Sequence, residues 1–141
     1  MSHPAKDVLV VDDDEQIRKL IAIVLTRAGL SVDTAADGLH AVEHLVVSSY
    51  TVLLIDLSMP RLDGVGVLKK IRAFHWPEDD RPIVLVMTAA TEREPLTSVA
   101  EMVQAVITKP FDIQELRELV QDCVAGRLRC DITGSEVTIS L

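Results

Sequence analysis

Hydrophobic and polar positions change period several times along the chain, and each change marks a new element. Val8-Leu9-Val10-Val11 is an unbroken apolar, β-branched run, as expected of a strand covered on both faces, and it ends in Asp12-Asp13-Asp14. Ile17, Leu20, Ile21, Val24 and Leu25 then recur at helical spacing with Arg18 and Lys19 outward, until Gly29 stops the helix. Leu30 to Ala35 alternates as a second strand, and Asp37-Gly38 opens a helix with Ala41, Val42, Leu45 and Val46 on one side. Thr51 to Asp56 reads as a third strand, and Gly64 to about Phe74 as a helix with Val65, Leu68 and Ile71 inward. A polar loop from Trp76 to Arg81 and Pro82 lead into Ile83-Val84-Leu85-Val86-Met87, the fourth strand. Thr91 and Glu94 have the spacing of a capping box for a short fourth helix, which Pro95 weakens. Ala105 to Thr108 is the fifth strand, and Asp112 caps a last helix bearing Ile113, Leu116, Leu119, Val120 and Cys123.

Strands and helices that alternate five times predict an α/β fold: a doubly wound, five-stranded parallel sheet with five flanking helices. The last segment breaks the alternation. Val137, Ile139 and Leu141 alternate after a Thr133-Gly134 turn, which suits a sixth strand or a hairpin arm. It could pair with a sheet edge or a neighbouring chain, or open a further domain. The expected division is therefore one domain over residues 1–126 and a tail over 127–141, with no internal repeat and no low-complexity linker.

Length agrees with this division, since 141 residues suit one domain with its own core. Aromatic residues make up only 3% of the chain, so the core is aliphatic. A net charge of −8 opposes nucleic-acid binding, which needs a basic face. No apolar run approaches the ~20 residues of a membrane span, and the first residues lack a signal-peptide pattern. Cys123 and Cys130 show neither metal spacing nor a disulfide framework, so reduced thiols in a cytoplasmic protein are expected.

Candidate chemistry collects where strands end. Asp12-Asp13, Asp56, Thr88 and Lys109-Pro110 follow the first, third, fourth and fifth strands, and in a doubly wound sheet those ends share one rim. Three carboxylates brought together need a cation. Hard oxygen ligands suit Mg²⁺, which binds through one or two carboxylates plus phosphate oxygens. Beside such an ion an anionic aspartate can attack a phosphoryl group. Lys109 would hold one phosphoryl oxygen and the Thr88 hydroxyl another. Phosphoryl transfer asks mainly for positioning and charge neutralisation, and these residues supply both.

Over roughly residues 7–125 the chain resembles the receiver domain of two-component response regulators. The resemblance rests on Val10-Val11-Asp12-Asp13, Ile55-Asp56 with Met59-Pro60 and Asp63-Gly64, Met87-Thr88-Ala89, and Thr108-Lys109-Pro110-Phe111. It implies a flavodoxin-like strand order 2-1-3-4-5, with Asp56 as phospho-acceptor and Lys109 and Thr88 assisting. It also implies Mg²⁺ held by Asp12, Asp13, Asp56 and the backbone carbonyl of Ser58, leaving Asp14 as a helix cap, and a cis Lys109-Pro110 peptide. The implied phosphoryl donor is a sensor histidine kinase or histidine phosphotransfer protein. The implied recipient of the signal is an output domain or protein, and a homodimer is among the allowed assemblies. Such a domain is not an enzyme, although it assists its own phosphorylation and dephosphorylation. The chain departs from the family pattern at Val106, where an aromatic ring is usual, and at Met102-Val103, where Gly-Ala is common.

Other readings of these residues compete. Each strand-end feature taken singly is commonly a cap, a turn or a solvated charge; four at successive strand ends are not. His40-Ala41-Val42-Glu43-His44 matches a zinc-peptidase pattern, but a further ligand and a cleft are wanting, and both histidines are expected on the solvent face. A dehalogenase-type phosphatase would need a second aspartate where Ser58 stands. The alternative function is a receiver-like interaction scaffold that signals without phosphorylation, to which the Val106 departure gives room.

Overall fold

The computed structural model describes residues 5–57, 59, 61–74, 81–89, 94–126 and 137–139. Six strands form one sheet: β1 (Ala5–Val11), β2 (Val32–Ala35), β3 (Ser49–Asp56), β4 (Ile83–Ala89), β5 (Val103–Lys109) and β6 (Val137–Ile139). Their order is β2-β1-β3-β4-β5-β6, every pair parallel. The five-strand order 2-1-3-4-5 is thus present, extended by β6 at its edge. Val137–Ile139 of the tail take the free side of β5, in the register Ala105–Val137, Val106–Thr138 and Ile107–Ile139, and the Thr133-Gly134 turn and Leu141 lie outside the described residues. Ser58, Thr91, the polar loop's first residues and Cys130 lie outside the described residues.

Four α-helices flank the sheet: α1 (Glu15–Arg27), α2 (Gly38–Val47), α3 (Gly64–Arg72) and α4 (Ile113–Val124). Each is capped by an aspartate, namely Asp14, Asp37, Asp63 and Asp112, whose side chain accepts N–H bonds from the first turn. The expected fourth helix is instead a 3-10 segment, Glu94–Met102, broken at Val99, where φ is −130° and ψ 19°. Val99 leaves helical φ/ψ in the middle of the segment, which interrupts any longer ladder there.

Successive side chains of the central strands enter opposite layers. Leu9, Val11, Leu53, Ile55, Val84, Val86 and Val106 pack with Leu45 of α2, Leu68 and Ile71 of α3, and Leu96 and Val99 of the 3-10 segment. Val8, Val10, Val52, Leu54, Leu85, Met87 and Ile107 pack with Ile21 and Leu25 of α1 and Leu116, Val120 and Cys123 of α4. The unbroken apolar runs follow from this two-sided burial. Two apolar positions depart from the expected helix faces. Leu20 is 49% exposed and Val46 53%, because each lies at the margin of an apolar stripe narrower than its sequence suggests. The Lys109-Pro110 peptide is cis.

Candidate functional site

Asp56 ends β3, and the chain turns away from the sheet directly after it. The Leu57 N–H donates to the Met87 carbonyl at 2.9 Å, and the Gly64 N–H donates to the Leu57 carbonyl at 2.8 Å. Gly64 is required for this closure, since a Cβ there would sit 2.5 Å from the Asp56 carbonyl oxygen. The Asp56 carboxylate is thereby pinned at the rim and is only 5% exposed as a residue.

Asp12 directly follows β1 beside it and is fully buried. One of its carboxylate oxygens accepts the Asp14 N–H at 2.9 Å, and the other accepts from Lys109 Nζ at 3.1 Å. The Arg18 guanidinium donates to its backbone carbonyl at 2.8 Å. Asp13 is exposed. Carboxylate oxygens of Asp12, Asp13 and Asp56 lie within 4.8 Å of one another, an arrangement that can hold a metal ion. Hard, anionic oxygens in a small open group suit Mg²⁺ better than a softer metal.

Lys109 reaches this group from the last position of β5. Its Nζ stands 3.1 Å from Asp12 and 3.4 Å from Asp56. Burial pushes its pKa down, but the Asp56 and Asp12 carboxylates outweigh burial and hold it above the ordinary value. The ammonium therefore stays charged across the physiological range. Thr88 is fully buried near the end of β4, paired in register with Thr108. Its hydroxyl donates to the Ala89 carbonyl at 3.1 Å. The strand ends thus bring together four of the residues singled out from the sequence, with Thr88 on the neighbouring strand.

The histidines of α2 behave differently from the expectation. His40 is exposed, but His44 is half-buried, and its Nδ1 lies 3.3 Å from the Tyr50 hydroxyl. That hydroxyl donates to Asp33 at 2.6 Å, and Lys6 Nζ donates to the same carboxylate at 2.9 Å. Burial raises the Asp33 pKa, but the Tyr50 and Lys6 hydrogen bonds outweigh it and bring the value below the ordinary 3.8. Burial and the Asp33 carboxylate push the Tyr50 hydroxyl well upward, so it remains a donor. The Tyr50–Asp33 pair escaped the sequence reading because nothing in the period-2 pattern tells which polar groups meet across two strands. Among the described residues, no other group of three acidic, histidine or cysteine side chains converges as the three aspartates do, so the zinc reading gains no support. A cavity of about 550 Å³ lies at the opposite end of the sheet, lined by Lys6, Tyr50, Arg81, Glu101 and Gln104 among others, and contains none of the acidic rim.

Comparison with known proteins agrees with this geometry. Residues 8–121 match the family model described as the response regulator receiver domain. A chemotaxis protein CheY homolog of Campylobacter jejuni is 36% identical over 117 residues, covering 82% of this chain and 89% of that protein. The "Probable transcriptional regulator ycf27" of Cyanidium caldarium is 33% identical over 81% of this chain, which spans only 44% of that relative's length. Among solved structures, the receiver domain of the Francisella response regulator 1452 is similar with a TM-score of 0.74 and 29% identity, covering 87% of this chain and 99% of that one. The response regulator TrrA of Thermotoga maritima, solved in complex with Mg(2+)-BeF, is similar with a TM-score of 0.69 and 29% identity, covering 84% and 98%. The acidic rim, the strand order and the extent of the match together place this chain in the response regulator receiver domain family.

Proposed function

We propose that the chain accepts a phosphoryl group on Asp56 from a sensor histidine kinase or a histidine phosphotransfer protein, and that the modification switches a protein-interaction face. The observation that carries this reading is Lys109, whose ammonium is shared between Asp12 and Asp56 on a single rim. An Asp56 carboxylate oxygen attacks phosphorus, the P–O bond forms as the donor P–N bond breaks, and the imidazole leaves with the bonding electron pair. Lys109 exchanges its Asp56 contact for a phosphoryl oxygen, and the Thr88 hydroxyl turns from the Ala89 carbonyl to donate to another. Asp12, Asp13, Asp56 and the Ser58 backbone carbonyl are the residues that would hold Mg²⁺. When bound there, the ion offsets the carboxylate repulsion and the charge of the incoming group. Water later attacks phosphorus and restores the carboxylate. The domain is consumed and regenerated as a phosphoryl carrier and is not an enzyme in the ordinary sense.

A cytoplasmic location fits a kinase-linked carrier, and among the described residues no helix is long and apolar enough to cross a membrane. The output is a separate domain or protein, since this chain's charge of −8 opposes direct nucleic-acid contact. A homodimer would supply one route to that output. One observation favours the alternative, a scaffold that signals without phosphorylation. Val106 is fully buried in β5 and offers no ring to swing between two positions.

The two readings part on a simple test. Incubation with acetyl phosphate and Mg²⁺ should add one phosphoryl mass to the wild-type chain, and Asp56→Asn should abolish the gain. Equal labelling of the variant would reject Asp56 as acceptor, and no labelling of the wild type would favour the scaffold.

A further inference from the structure

The sixth strand has a consequence that does not depend on phosphoryl chemistry. β5 is seven residues long, and its Ala105, Val106 and Ile107 are fully buried. A strand of that length and character at the end of a sheet would offer its unpaired N–H and C=O groups to any other strand. β6 pairs along these three residues and is itself only three residues long. A long apolar edge is thereby replaced by a very short one, a device that natural sheets use against edge-to-edge pairing. The pairing is parallel, with α4 lying between β5 and β6 in the chain. α4 lies in the layer of α1, so this crossover has the opposite hand to the others of the sheet, and the placement of β6 rests on its register with β5 alone.

We propose that residues 137–139 act in cis as a guard of the β5 edge, occupying it by strand addition and excluding a second copy of this chain. A partner that recognises β5 through its edge must compete with β6. The state of the edge is then set by the docking equilibrium of a three-residue strand, and so short a pairing can open without unfolding the domain.

Amide hydrogen exchange on the full chain tests this, with two variants, Thr138→Pro and Val137→Pro/Ile139→Pro. Adjacent residues of a strand send their N–H groups to opposite sides, so one of the two variants removes the N–H groups that face β5. The amides of β1 and β3 report whether each variant is folded. Protection of the edge-facing amides of Ala105–Ile107 is expected in the wild type. At least tenfold faster exchange at those amides is expected in one variant or both, together with concentration-dependent dimerisation in sedimentation. Unchanged exchange in both variants would overturn the proposal, as would fast exchange in a variant that stays monomeric. A wild-type dimer with 106–138 contacts between differently labelled copies would overturn the assignment in cis.

Discussion

Lys109 stands where the site's charge is balanced. Its ammonium neutralises part of a three-carboxylate group, so a Mg²⁺ ion held by the same oxygens would have to compete with it. Lys109→Met should therefore bind Mg²⁺ about tenfold more tightly by calorimetry, a change of roughly 1.4 kcal/mol. The same variant should label on the order of 100-fold more slowly, because a preorganised cation has been taken from the transferring group. Weaker Mg²⁺ binding would contradict the competition. Asp33 gives a second prediction at this scale. Its folded pKa lies below the ordinary 3.8, so its contribution to stability is complete above that value and lost as the pH falls through the lowered one. Urea unfolding of Asp33→Asn should show a shallower loss of stability in acid than the wild type. An identical acid limb would mean that the Tyr50 and Lys6 contacts do not hold in solution.

The elements depend on two glycines for different reasons. A Cβ at Gly64 would meet the backbone of Asp56 and Leu57, neither of which can yield without moving the site. Gly64→Ala should cost about 1–3 kcal/mol in denaturant unfolding and also slow labelling of Asp56. Gly29 follows α1 with φ +92° and has open space where a Cβ would go. Gly29→Ala should cost about 1–2 kcal/mol from backbone strain alone, with labelling unchanged. Much at this scale was legible in the sequence: the five strands, the Asp112 cap and the helix opening at Asp37 follow from period, β-branching and capping chemistry, and the Asp14 cap from the family resemblance. The 3-10 segment was legible only as a weak helix, since neither its shortness nor Pro95 in its first turn foretells the break at Val99. β6 was legible as a strand but not as a neighbour of β5, because three alternating residues fit any free edge. Leu20 and Val46 were misplaced because helical spacing marks the centre of an apolar stripe better than its margins.

Among the described residues the sheet is buried on both faces, and the acidic group lies at the end where the strands stop. Leu54 is fully buried in the layer formed with α1 and α4, and Leu54→Ala should cost about 2–5 kcal/mol while leaving the acidic rim assembled. Retained Mg²⁺ binding in that variant would show that core and rim are separable. The convergence of Asp12, Asp13, Asp56 and Lys109 was readable before any coordinates, because a parallel doubly wound sheet must gather its strand ends. The His44–Tyr50–Asp33 contacts at another part of the sheet were not, since they depend on side-chain directions that no period encodes. The central claim is that Asp56, among three neighbouring aspartates, receives the phosphoryl group. Borohydride reduction converts an aspartyl phosphate to homoserine, so the acceptor can be located by peptide mass mapping after treatment with acetyl phosphate and Mg²⁺. Homoserine at position 56 alone is the predicted result; homoserine at position 12 or 13, or at none of the three, would contradict it.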